Sequence, residues 1–90
     1  KMKIKLELFG ASRDFSNKDY LEFNFNEKIK IKDFRKEIIN YLEKNFKNNE
    51  SFKKIVQTSV FCSDDNNIVS DDYKILKDQK IGIIPPIGGG

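Results

Sequence analysis

Histidine is absent from this chain of 90 residues, and that absence removes more chemistry than any other feature of its composition. Ser-His and Cys-His nucleophile pairs need an imidazole base, so neither can be assembled. The common zinc ligand sets are equally out of reach. Catalysis by the chain's own side chains is not expected, nor is a bound metal or cofactor. Cysteine is almost as scarce: the one thiol, Cys62, cannot form an internal disulfide. Long apolar runs are also missing. No segment approaches the ~20 residues that a membrane-spanning helix needs, and the opening KMKIKLEL has no uninterrupted apolar stretch to serve as a signal peptide. A cytoplasmic protein with no membrane partner is expected, with Met2 as the natural start and Lys1 an addition.

Charge is plentiful but nearly balanced, 17 basic against 14 acidic residues, and the net +3 is spread along the chain. Nucleic-acid binding needs basic residues gathered on one face, so no nucleic-acid partner is expected. Ninety residues hold one core, and a domain of this size buries only about three-fifths of the surface its unfolded chain exposes. Eight Phe and twelve Ile supply most of the bulk for it.

Period two marks the first strand. From Lys3 to Phe9, Ile4, Leu6 and Leu8 point one way and Lys3, Lys5, Glu7 and Phe9 the other. Gly10 to Lys18 reads as a loop. Leu21, Phe23 and Phe25 alternate with polar residues in a second strand, which forms a long-looped hairpin with the first. After Lys28 the period changes: Ile31, Phe34, Ile38, Tyr41, Leu42 and Phe46 fall three and four apart, on one face of a helix. Asp33 near its start and Lys44 and Lys47 near its end suit the helix dipole. Ser51 to Val56 can add a short helical turn. Thr58 to Cys62 is rich in strand formers, SDDNN (63–67) is turn chemistry, and Ile68-Val69 is a brief return strand. Gln79 to Ile84 is the last strand, stopped by Pro85, which has no N–H for a ladder. One long helix across a mixed sheet of four to five strands is a two-layer α+β arrangement, with the last strand returning beside the first.

The chain finishes IGIIPPIGGG (81–90), so the expected organisation is a folded domain over 1–84 and an extended tail over 85–90. Terminal glycines are often inert slack. Here, however, they follow directly from a core strand, and Pro85-Pro86 stiffens the exit. Residues 86–90 reach about 16 Å when extended. Without Cβ atoms, such a tail enters channels too narrow for other residues. Its carboxylate is uncrowded, which suits activation as an adenylate followed by nucleophilic attack.

The closing IIPPIGGG, set at the end of this strand and helix order, resembles the small, sulfur-carrying subunit of molybdopterin synthase. LFGASRD (8–14) is similar to that family's Phe-small-x-x-Arg-acidic stretch, and LKDQKIGIIPP (76–86) to its last turn and strand. Asp78-Gln79 departs from a usual Gly-containing turn, and Gly88 stands where Ser, Ala, Thr or Cys is commoner; Gly89-Gly90 is intact. The resemblance implies a ubiquitin-like β-grasp roll and a function that resides at the carboxyl end. Gly90 would be adenylated by an ATP-dependent, ubiquitin-activating-like adenylyltransferase and converted to a thiocarboxylate with sulfur from a persulfide donor protein. Pro85, Pro86, Ile87, Gly88 and Gly89 would enter the active site of the large synthase subunit. Sulfur would there build the dithiolene of molybdopterin on cyclic pyranopterin monophosphate, in a heterotetramer of two large and two small chains. A thiazole or thiouridine sulfur carrier and a ubiquitin-related protein modifier use the same Gly-Gly end and stand as alternatives.

Docking needs a surface beside the tail. Strand parity puts Phe9 and Ile84 on the solvent side of neighbouring strands, and Ile68 is a third candidate. The plainer reading makes each a lone surface apolar residue. Arg13 can pair with a partner carboxylate or stand solvated. Asp64-Asp65 and Asp71-Asp72 lack the spacing, Gly and closing Glu of an EF-hand, so they read as solvated turns. Cys62, in an apolar strand without a His, reads as a small buried residue.

Overall fold

The structure is a computed structural model that describes residues 1–87. Strand β1 (Met2–Leu8) buries Met2, Ile4, Leu6 and Leu8 and exposes the lysines between them, as its alternation requires. A 3-10 helix (Gly10–Phe15) leads to β2 (Tyr20–Phe25), antiparallel to β1 with Leu6 opposite Leu21. A two-residue strand β3 (Ile29–Lys30) runs straight into helix α1 (Ile31–Asn45). Helix α2 (Glu50–Thr58) follows, then β4 (Val60–Cys62), β5 (Ile68–Val69), β6 (Lys74–Ile75) and β7 (Gln79–Ile84).

The main sheet has the order β2-β1-β7-β4-β5, and β3 pairs with β6 in a small second sheet. β7 lies parallel to β1 with Leu8 beside Ile83, so the last strand occupies the middle of the sheet. Ile31, Phe34, Ile38 and Leu42 line the buried face of α1 and meet the inward residues of the sheet in one core. Phe34 is its hub: Phe23 and Phe25 form T-shaped pairs with it, ring centres 5.3 and 5.8 Å away, and Phe61 approaches at 6.3 Å. No helix among the described residues is long and apolar enough to cross a membrane.

Several elements differ from the sequence expectation. Gly10–Phe15 is not plain loop, because buried Ser12 and Phe15 turn a polar stretch into a packed 3-10 helix. α2 has nine residues rather than one short turn. Asn49 caps it, its Oδ1 accepting from Phe52 N–H at 3.1 Å. β3 and β6 were not expected at all. They serve α1, whose first amides have no intrahelical acceptors. Ile31 N–H instead donates to the Tyr73 carbonyl at 2.9 Å and Lys32 N–H to that of Asp71 at 3.0 Å. The β3–β6 pairing brings those carbonyls into place. Asp78, at the departure from the usual glycine turn, accepts from Lys3 N–H at 2.8 Å and ties the start of β1 to the turn before β7.

Candidate functional site

The site begins where β7 ends. Pairing stops at Ile84, since Pro85 cannot donate, and the chain passes from the centre of the sheet to the surface within two residues. Pro85 is buried, whereas Pro86 is exposed and Ile87 is fully so, at 101%. The first proline therefore belongs to the folded body, and the projecting segment starts at Pro86. Gly10 packs against this exit. Its φ of +56° is left-handed and suits glycine, and a Cβ there would already touch the Pro85 ring at 3.8 Å.

The segment beneath the exit is held firmly. Ser12 N–H and Oγ–H both donate to the Phe9 carbonyl, at 3.2 and 2.6 Å. Phe15 stacks at a tilt on Phe52 of α2, ring centres 5.0 Å apart. The 3-10 helix is thus clamped between β1 and α2, with Arg13 exposed upon it. Among the described residues Arg13 makes no ion pair.

An apolar patch lies beside the exit, on the sheet face away from α1. Extending the β1–β7 register by one residue sets Phe9 next to Ile84, and Val60 pairs with Ile84 from the other side. Cys62 pairs with Gly82 and with Ile68. Phe9, Val60 and Ile68 are 40%, 45% and 63% exposed, and Ile84 is half-buried. Gly82 makes the floor. A Cβ there would stand 2.8 Å from Cys62 Sγ and 3.1 Å from Phe9 Cε2, so its absence is what allows ring and sulfur to lie over the strand. Charge bounds the patch toward β2: Lys80 Nζ is 3.9 Å from Glu7 Oε2, and Lys5 Nζ sits 4.4 Å over the Tyr20 ring.

The structure brings together Phe9, Ile84, Pro85 and Pro86, and joins Ile68 to them through β4. Gly88, Gly89 and Gly90 lie outside the described residues. Val60 and Cys62 are additions to the surface expected from sequence. Cys62 is a correction, being half-exposed rather than buried. Phe61 takes the inward position, so period two sends both its neighbours outward. That signal was present in VFC, but three residues are too few to fix a parity without knowing which one is buried. The aspartates have ordinary structural duties: Asp64 Oδ1 accepts from Lys80 N–H at 2.9 Å, and Asp71 pairs with Arg35 at 2.7 Å.

No protein-family model and no curated protein matches the chain. Solved structures do. A provisionally assigned molybdopterin converting factor subunit 1 of Pyrococcus furiosus superposes with a TM-score of 0.71 at 20% identity, covering 97% of this chain and all of the other. Two crystal structures of a Haloferax volcanii protein, named SAMP1 and small archaeal modifier protein 1, give TM-scores of 0.67 and 0.69 at 10% and 8% identity. They cover 98% and 97% of this chain, and 99% and 100% of their own. The fold is a ubiquitin-like β-grasp. The central parallel pairing of β1 with β7 and the single long helix across the sheet are its defining features here. At these identities the likeness extends to the fold alone.

Proposed function

We propose that this β-grasp protein is a sulfur carrier, the small subunit of a molybdopterin synthase, working in the cytoplasm through the carboxylate of Gly90. One observation supports the reading above the others. A core strand delivers the chain through a buried Pro85 to an exposed Pro86-Ile87, heading a sequence that closes on three glycines, with an apolar patch beside the exit. The body has what a carrier needs: a rigid mount and a surface for partners to grip.

In this reading an adenylyltransferase joins the Gly90 carboxylate to AMP, releasing pyrophosphate from ATP. The terminal sulfur of a persulfide donor displaces AMP to give an acyl disulfide, and a second thiol cleaves its S–S bond, so that the thiocarboxylate leaves reduced and the two thiols remain as a disulfide. This group is ionised and nucleophilic near neutral pH, whereas a carboxylate has no sulfur to give. The tail, Pro86 to Gly90, then enters the large subunit, where sulfur passes to cyclic pyranopterin monophosphate and the carboxylate returns. Side chains that move protons in that step belong to the large subunit, in keeping with a chain that has no histidine.

The likeness to an archaeal modifier protein favours a second reading, conjugation of the same Gly90 carboxylate to target lysines. Co-expression with a large synthase subunit decides between them. A carrier is expected to co-purify with it and, once loaded, to form the dithiolene. Failure of both, with ladders of conjugated protein instead, would favour the modifier.

A further inference from the structure

The turn after β1 reaches across to the root of the tail. Phe9 continues the extended run of β1, with φ −121° and ψ 152°, and Gly10 then reverses the chain at φ +56°. That left-handed step lets the 3-10 helix start at once, and Ser12 locks the reversal through its two bonds to the Phe9 carbonyl. The reversal sets Gly10 against the ring of Pro85: a Cβ at Gly10 would stand 3.8 Å from Pro85 Cδ and 3.9 Å from its Cγ. Ala11, next in the turn, borders one hollow together with Pro85 and with Ile55 and Thr58 of α2. These residues form a collar in which Pro85 is buried, while Pro86, the next residue, is exposed.

The backbone at the root is restricted as well. Ile84 and Pro85 each precede a proline, which disfavours the helical region for both, and each proline has its own φ fixed. The body therefore sets both the point of departure and the heading. The Gly90 carboxylate lies within about 16 Å of that root, the full stretch of residues 86–90.

We infer that Gly10 is a positioning residue for the carboxyl terminus: its left-handed turn seats Pro85 and so fixes where, and in which direction, the tail leaves the body. The inference rests on the carrier reading and deepens it. Gly10 touches no reacting atom and acts through Pro85. Activation needs the Gly90 carboxylate in line with the α-phosphate of ATP, and a misplacement of about 1 Å can cost about a hundredfold in rate. Docking of the body is left in place when only the root moves, so the loss belongs to kcat rather than to KM. Backbone conformation, not space, makes the position special. A Cβ 3.8 Å from Pro85 is an ordinary contact, but φ +56° is one that a β-branched residue adopts only with strain. Asparagine tolerates it: Asn48 and Asn66 of this chain both stand at φ 62°.

The test uses the full chain and the purified ubiquitin-activating-like adenylyltransferase, with ATP–pyrophosphate exchange as readout. Melting curves set a temperature at which every variant is folded. Gly10→Val is expected to lower kcat by about tenfold or more, with the KM for the carrier within about twofold of wild type. Gly10→Asn is expected to hold kcat within about twofold of wild type, because it keeps the turn. Pro85→Ala keeps the turn but removes the ring seated on it, and is expected to reproduce the kcat loss. If Gly10→Val does not fold, Gly10→Ala, milder in strain, takes its place. A wild-type kcat in the folded Gly10→Val and Pro85→Ala chains, a loss confined to KM, or a Gly10→Asn chain as impaired as Gly10→Val would overturn the role of Gly10 while leaving the carrier reading intact. No exchange with the wild-type chain would overturn both.

Discussion

At the scale of single residues, Arg35 carries the most structural duty. Its Nη1 donates to the Val56 and Ser59 carbonyls at 2.7 and 2.8 Å, its Nη2 to Asp71 at 2.7 Å, and its guanidinium lies 4.8 Å from the Phe61 ring centre. One planar fork thus ties α1 to the end of α2, to the chain entering β4 and to the loop before β6. Arg35→Met keeps the stem but strands two carbonyls, and is expected to cost about 2–3 kcal/mol in urea unfolding. Arg35→Lys should recover only part of that, because an ammonium has no fork. On the outer face the expectation reverses. Val60 is 45% exposed in the middle of the patch, so Val60→Lys should change stability by less than about 1 kcal/mol. It should nevertheless weaken binding of the large subunit by about tenfold or more, measured by titration calorimetry.

At the scale of elements, α2 shows what local chemistry contributes. Its N-terminal amide is satisfied by Asn49, and Phe52 and Ile55 pack on the core from one side. Asn49→Ala is expected to cost about 1 kcal/mol in thermal or urea unfolding, with Asn49→Ser recovering most of it. The same elements show what a sequence can and cannot reveal. β1, β2, α1 and β7 were legible because each sustains its period over six residues or more, long enough for alternation or helical spacing to stand out. β3 and β6 have two residues apiece, and a period cannot be read from two. Their reason for existing is the carbonyls of residues 71–73 that meet the start of α1, an arrangement between segments some forty residues apart. The 3-10 helix was hidden for a related cause. Its anchors are a serine bonded to its own turn and Phe15, which packs on a helix that the periodicity only hinted at. At the site, Phe9 and Ile84 were readable from parity and Ile68 only from its place beside a polar turn, whereas Val60 and Cys62 needed the neighbouring strands to declare which side of β4 faced out.

At the scale of the whole molecule, the fold acts as a mount. The strand that leads to the tail is held on both sides, by β1 and by β4, so a pull on the tail is resisted by two ladders rather than by a frayed edge. The body packs Phe23, Phe25 and Phe61 around Phe34 and leaves Phe9, Val60 and Ile68 outside, at the end where the chain departs. Such a division assigns stability to the core and, in the proposed reading, recognition to the collar around Pro85. That reading places reactivity in neither: the sulfur chemistry would fall to a main-chain carboxylate that any added residue would block. A chain bearing one alanine after Gly90 is therefore expected to keep its melting temperature and its fold while losing all adenylation.

Intact-mass spectrometry of the chain ending at Gly90 tests this most directly, after incubation with the adenylyltransferase, ATP, a persulfide donor and a thiol reductant. The expected result is a mass gain equal to one sulfur replacing one oxygen, located by fragmentation at Gly90. An unchanged mass, with the enzyme and donor shown to be active on another carrier, or sulfur found on Cys62 instead, would contradict it.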